Sequence, residues 1–106
     1  MSNFANYLDH AGSTREKFFK ATLFQSPNLM LGLNCLEPGQ TQSVHTHGGQ
    51  DKFYFVVEGE GDFTVGTETQ RCGPGLTIWA PASVDHGVSN AGEIRLVVLV
   101  GIAPWK

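Results

Sequence analysis

The sequence has little of what marks several classes of protein. Its 106 residues hold seven lysines and arginines against ten acidic residues, for a net charge of −3, and the cations form no cluster. Nucleic-acid binding needs grouped cations that neutralise phosphates, so we expect no such partner. No apolar run approaches the roughly 20 residues of a membrane span, and the amino terminus lacks the apolar segment of a signal peptide. These absences predict a cytoplasmic protein with no membrane partner.

Cysteine is also scarce. Cys35 and Cys72 are the two cysteines of the chain, and they are far apart in sequence. They form no close-spaced metal-binding pair, and a disulfide is not expected in a reducing cytosol. We therefore interpret each cysteine as a small apolar residue of a strand.

Glycine, by contrast, is abundant, and it divides the chain into short segments. Thirteen glycines in a chain of this length predict many tight turns. Alternating or apolar segments between these turns predict strands near residues 17–25, 29–37, 39–47, 53–57, 62–66, 67–72, 76–80, 84–90 and 93–102. Strands at intervals of about eight to twelve residues are typical of an all-β sandwich or barrel.

The first 16 residues differ from the rest. Phe4, Tyr7 and Leu8 would share one face of a helix, but Gly12 and Ser13 would end it. We therefore predict an N-terminal arm or short helix over residues 1–16, packed on the barrel or on a second subunit. Residues 17–106 would form a single barrel domain, which a chain of this length can fill with one core.

The segment 39–61 carries the strongest chemical signal. His45 and His47 are separated by one residue, so both would point to the same face of a strand. Two imidazoles that converge on one point suit a divalent transition metal. The apolar run 53–57 follows, and it predicts a buried strand next to the histidines.

Two motifs in this order resemble those of the cupin superfamily. The first motif is represented by Gly39, His45, His47 and Gly59, and the second by Gly75, Pro81, Ser83, His86 and Asn90. Together with the short stretch between them they span residues 39–90, about half of the chain. The resemblance implies an antiparallel jelly-roll β-barrel with a metal site inside its mouth, and homodimerisation through strands near the N-terminus.

The resemblance also implies a set of ligands. His45, His47 and His86 would form a facial set of imidazoles for iron, nickel, copper, zinc or cobalt, and an added carboxylate would also suit manganese. Asn90 would line the site or brace its strand. The second motif usually has glycine where this chain has Ser83, a change that we expect to affect only a turn.

At the place of the family's usual glutamate ligand this chain has Lys52, and a protonated lysine repels a cation. Three interpretations stay open: Asp51 turns inward as the carboxylate ligand, with Gln50 as a weaker candidate; the three histidines are completed by water; or the metal has been lost. Lys52 itself could bind an anionic substrate or act as an acid or base. Of these roles we favour a solvent-facing Lys52 that pairs with Asp51 or Glu58.

Three functions follow from these observations. The first is a small metal-dependent enzyme, such as a dioxygenase or an isomerase, that acts on a small oxygenated molecule. The second is a non-catalytic ligand-binding or sensing module, because one barrel supports many functions. The third is a metal-free sugar-binding or epimerase-like protein. Buried aromatic residues such as Tyr54 and Trp79 would belong to the core. Trp79, near the barrel rim, could alternatively contact the ligand.

Overall fold

The computed structural model describes residues 2–46 and 48–105, and its regular structure is almost entirely β. Nine strands follow one another: β1 (Phe19–Gln25), β2 (Met30–Leu36), β3 (Thr41–His45), β4 (Asp51–Glu58), β5 (Gly61–Val65), β6 (Glu68–Cys72), β7 (Thr77–Ala80), β8 (His86–Ser89) and β9 (Leu96–Ala103). They form two antiparallel sheets, ordered β1-β2-β9-β4-β7 and β3-β8-β5-β6. This double sheet confirms the predicted all-β jelly roll.

The N-terminal helix is reduced to one 3₁₀ turn, Tyr7–Asp9. The side chain of Asn6 caps it by accepting a hydrogen bond from the Leu8 N–H, at 3.0 Å. The prediction that Phe4, Tyr7 and Leu8 share one apolar face is wrong, since Phe4 and Leu8 are exposed and of the three only Tyr7 packs against the sheet. The short segment cannot bury three apolar side chains at once, so it serves as an arm.

The most apolar segment of the sequence forms strand β9, which is covered on both faces. Val98 and Val100 point into the core between the two sheets, with Tyr54 and Phe63. Val97 belongs to a second cluster on the outer face, which is covered by Tyr7 and other residues of the N-terminal segment. A central strand buried on both sides has a continuous hydrophobic sequence.

Both cysteines behave as predicted. Cys35 on β2 and Cys72 on β6 are buried and free. Cys35 lies in the outer cluster and Cys72 in the inner core. Burial raises the pKa of both thiols, which keeps them protonated and unreactive.

Gly59 illustrates why glycine marks the turns of this fold. Its φ is +78°, in the left-handed region, and a Cβ atom there would collide with the carbonyl oxygen of Arg95. The turn between β4 and β5 therefore passes directly over the start of β9. At Ser83, where the family motif has glycine, φ is +67°. Serine thus occupies a backbone conformation that glycine adopts more easily, and the change from the motif is confined to a turn, as predicted.

Candidate functional site

Two of the three predicted histidines lie side by side inside the barrel. His45 ends β3, and His86 begins β8, the neighbouring strand in the same sheet. The register pairs the two residues directly, so their side chains emerge on one face. Their ring centroids are 4.4 Å apart, with the planes inclined at 58°. His86 is only 1% exposed, and His45 is half-buried.

The backbone fixes the tautomer of both rings. Nδ1 of His45 lies 2.8 Å from the carbonyl oxygen of Ser43, and Nδ1 of His86 lies 3.0 Å from that of Val84. A carbonyl oxygen only accepts, so each Nδ1 carries the proton. In the neutral ring the lone pair is then on Nε2, the nitrogen through which such a histidine binds a cation.

The separation of the two rings fits a shared metal ion. With ring centroids 4.4 Å apart, on paired residues of neighbouring strands, the two imidazoles are close enough to be ligands of one ion. The predicted third ligand, His47, lies outside the described residues. Within residues 2–46 and 48–105, no three His, Cys, Asp or Glu side chains form a group that could hold a metal.

Neither candidate for a fourth protein ligand is directed towards the histidines. Asp51 is exposed, and its carboxylate accepts a hydrogen bond from the Ala82 N–H at 3.0 Å. It lies on the outer side of β4, because the alternation of that strand turns Lys52 and not Asp51 inward. Gln50 donates its amide N–H to the Pro104 carbonyl at 2.9 Å. Both side chains hold loops at the rim of the barrel.

The interpretation of Lys52 as a solvent-facing residue is wrong. Its side chain is 4% exposed, because β4 places residues 52, 54 and 56 on its inner face. The ammonium Nζ lies 4.8 Å from the centroid of the Tyr54 ring. Burial, with a smaller effect from the positive charge of Lys20, lowers the pKa of Lys52 to about 8.

No described carboxylate balances this buried cation. Among the described residues the ion pairs are made by Arg71 and Arg95, and Lys52 has none. Glu58, one expected partner, instead accepts a hydrogen bond from Tyr7 and pairs with Arg95. The cation–π contact with Tyr54 stabilises the buried ammonium by about 0.5–2 kcal/mol, whereas removing an ammonium from water costs several kcal/mol. Lys52 is therefore a destabilising element of the fold when no ligand is bound.

Tyr54 connects Lys52 with the histidines. Its ring centroid is 6.2 Å from that of His86, and its hydroxyl donates to Gln42 Oε1 at 2.8 Å. Burial raises the pKa of Tyr54, so the phenol stays protonated. The ammonium and the phenol on β4 therefore lie in the protein interior with the His86 imidazole, which the opposite sheet supplies from β8.

Sequence reasoning missed Gln42. Counting back in twos from His45 selects residues 43 and 41 as its neighbours on the inner face. The register of β3 against β8 shifts between Gln42 and His45, and this bulge turns Gln42 inward beside Val88. Glycine often marks a bulge, but no glycine lies within β3, so no local signal in the sequence announced it.

Asn90 braces the second motif, as expected. Its side-chain amide is buried and donates to the carbonyls of Leu36 and Ile94, at 2.8 and 2.9 Å. Its Oδ1 accepts from the Gly92 N–H at 2.9 Å. These bonds tie the end of β8 to the chain around it. Asn90 is thus a structural residue at the other end of the strand from His86.

A groove opens between the edge strands β6 and β7. It has a volume of about 310 Å³, and its walls include Phe63, Val65, Ile78 and Trp79. Val65 pairs with His86 across the sheet, which puts the groove two strands away from His45. The expected core position is confirmed for Tyr54 but wrong for Trp79, which is 58% exposed at this rim.

Comparison with known proteins gives a consistent family. A protein-family model described as a cupin domain matches residues 32–102 of this chain. The uncharacterized protein SCO3923 of Streptomyces coelicolor is 40% identical over 77 residues, 73% of this chain and 71% of that protein. The crystal structure of TT1209 from Thermus thermophilus superposes with a TM-score of 0.93 at 38% identity, over 97% of this chain and 98% of that one.

A more distant structure carries the name of an enzyme. A predicted oxalate decarboxylase from Thermotoga maritima superposes with a TM-score of 0.76, over 81% of this chain and 79% of that one. Its 22% identity demonstrates the shared fold alone. Within the part of the chain that the structure describes, no helix is long and apolar enough to cross a membrane.

Proposed function

The chain belongs to the cupin family, and from that premise we propose that it is a metal-dependent enzyme acting on a small oxygenated molecule. The observation that carries this proposal is the pair of imidazoles of buried His86 and half-buried His45, with ring centroids 4.4 Å apart and both Nδ1 atoms held by backbone carbonyls. Such a pair has the spacing and the tautomers of ligands to one cation. A dioxygenase or an isomerase is the reaction class that we favour.

His45, His86 and His47 would hold the ion, and His47 enters from the family motif alone. A divalent transition metal such as Fe, Mn, Ni, Zn, Cu or Co would polarise an oxygen of the bound molecule, and a redox-active one would add oxygen chemistry. Protein ligands that leave coordination positions open are what a catalytic metal site requires.

The surrounding residues would orient the bound molecule and exclude water. The Tyr54 phenol stays protonated and donates a hydrogen bond to Gln42, so its ring is held in a fixed position beside His86. Lys52 is the candidate acid or base, because an amine with a pKa of about 8 can exchange a proton near neutral pH. The buried aromatic and aliphatic residues around them keep the site at low dielectric constant.

Elemental analysis of the purified protein, with and without added metal, tests the metal site. We expect about one equivalent of a transition metal in the wild type, and its loss in His45→Ala and in the milder His86→Gln. His10→Ala is the matched control, because His10 is exposed in the N-terminal arm. Far-ultraviolet circular dichroism would verify that each variant is folded. Equal metal content in all four proteins would refute the site.

Activity assays follow from the metal found. With a redox-active metal, we expect oxygen uptake with small diketones or phenols; with a redox-inert one, isomerisation of small carbonyl compounds. A folded wild type that takes up no metal under any loading would instead favour the metal-free sugar-binding alternative. Tight ligand binding without turnover would favour the sensing alternative.

Homodimerisation stays a prediction of the family resemblance. The resemblance implies an interface through strands near the N-terminus, and β1 and β2 belong to the five-stranded sheet. The outer face of this sheet also exposes Phe55 on β4 and Trp79 on β7, so we propose that a second copy covers this part of the face. Light scattering after size-exclusion chromatography should give twice the chain mass, and Phe55→Lys should give the monomer. A monomeric wild type at micromolar concentration would contradict it.

A further inference from the structure

Lys52 has an environment that neither a packing role nor a metal-ligand role explains. It is a lysine on an inward-facing position of β4, where it is 4% exposed. Methionine or leucine would fill the same space without a charge to desolvate. A buried ammonium is ordinarily balanced by a carboxylate or hydrogen-bonded by several acceptors. Among the described residues, neither an ion pair nor a hydrogen bond satisfies Lys52.

The local charge has one sign. The charged residue that affects the pKa of Lys52 is Lys20 on β1, which is also positive. The nearest acidic residue in sequence, Asp51, is directed outward to the Ala82 N–H. Lys20 is exposed, so the buried positive charge is that of Lys52 itself, and an uncompensated charge at low dielectric constant attracts an anion.

The position of this charge defines what kind of anion fits. The ammonium lies against one face of the Tyr54 ring, and the same ring contacts His86 at a centroid distance of 6.2 Å. A molecule that meets both Lys52 and the histidine pair is therefore short. One of its ends has to be anionic, and the other has to present a polar oxygen to the imidazoles or to the ion that they hold.

We infer that Lys52 is the anion subsite of this barrel and that the ligand is a small oxo- or hydroxycarboxylic acid, bound by its carboxylate to the Lys52 ammonium. The carboxylate supplies the counter-charge that the unliganded fold lacks, in a charge-assisted hydrogen bond. The carbonyl or hydroxyl oxygen of the acid then lies on the side of His86. This inference rests on the proposed function for the second contact only, because the Lys52 contact needs no metal.

Pairs of carboxylates and their neutral amides provide the test. Pyruvate with pyruvamide, lactate with lactamide, and oxalate with oxamide would be titrated calorimetrically into the wild-type protein, once after chelation and once after metal loading. We expect at least one carboxylate to bind at least about tenfold more tightly than its amide, since a charge-assisted bond replaces a neutral one. Lys52→Met and Lys52→Gln should abolish this preference, and Lys17→Met, at an exposed lysine, should retain it.

The outcomes separate this inference from the proposed function. Loss of the carboxylate preference in both Lys52 variants, at unchanged metal content, would support the subsite. If no acid of the panel binds more tightly than its amide, or if the Lys52 variants keep the preference, the subsite is refuted while a bound metal would leave the proposed function intact. A carboxylate preference in a wild type that takes up no metal under any loading would support the subsite and refute the metal-dependent enzyme.

Discussion

Replacing Lys52 with methionine should stabilise the protein, although it removes a fully buried native side chain. The pKa of Lys52 is about 8 in the folded protein, against an ordinary value of 10.5. At about 1.4 kcal/mol for each pH unit between the two values, burial of the charged form costs about 3.5 kcal/mol. The variant loses a cation–π contact of about 0.5–2 kcal/mol. We therefore expect a net gain of about 1–3 kcal/mol at pH 7.

The pH dependence gives this prediction a second signature. Below pH 8 Lys52 is protonated in the folded and the unfolded chain, so its cost is constant. Between pH 8 and 10.5 the folded chain has released this proton while the unfolded chain still binds it, so wild-type stability rises with pH. Lys52→Met lacks this contribution. The stability difference between the variant and the wild type should therefore shrink as the pH rises from about 7 to about 10.

Urea denaturation, followed by tryptophan fluorescence, measures both effects. The titrations would be made with chelator and in buffers without carboxylate, so that neither a metal nor an anion stabilises the wild type. Lys17→Met is the matched control, because it removes an exposed lysine and should change the stability by less than about 0.5 kcal/mol. A variant less stable than the wild type at pH 7, with a difference that does not change with pH, would refute the reasoning.

Three further predictions concern the scaffold, each measured by the free energy of unfolding in urea. Gly59→Ala should destabilise by roughly 2–4 kcal/mol, because the new methyl group meets the Arg95 carbonyl at a positive φ; a smaller loss would mean that the turn adapts. Ser83→Gly should be within about 0.5 kcal/mol of wild type, whereas Ser83→Val should lose about 1–2 kcal/mol; equal values for the two would contradict the positive φ. Tyr54→Phe should cost about 1–3 kcal/mol by leaving buried Gln42 unsatisfied, and adding Gln42→Leu should restore part of it; additive losses would contradict the hydrogen bond.

Much of the fold was predictable because its signals are local. Glycine and proline at the turns and β-branched or aromatic residues between them placed the nine strands within a few residues of their observed bounds. Alternation along the chain also separated the two faces of a strand, so residues 52, 54 and 56 share one face in sequence and in structure. The two histidine motifs are regular enough to identify the family.

The N-terminal segment shows where local signals fail. Phe4, Tyr7 and Leu8 have helical spacing, yet only Tyr7 finds a partner surface, the outer face of β2 and β9. A short amphipathic segment becomes a helix only when its whole apolar face can be buried. The sequence does not show how much apolar surface the rest of the fold provides for this burial.

The sequence by itself determined the strands, the turns and the presence of histidines with metal-binding spacing, because each depends on neighbours along the chain. Only the tertiary structure decided which side chains meet. The direct pairing of His45 with His86 depends on a register between strands that are distant in sequence, and the inward turn of Gln42 depends on a bulge within it. The interpretation of Lys52 as solvated was wrong, because alternation only assigns it to a face of β4 and the packing of the second sheet makes that face interior. Burial of an uncompensated charge, the feature on which the proposed ligand class depends, is therefore a property of the assembled barrel.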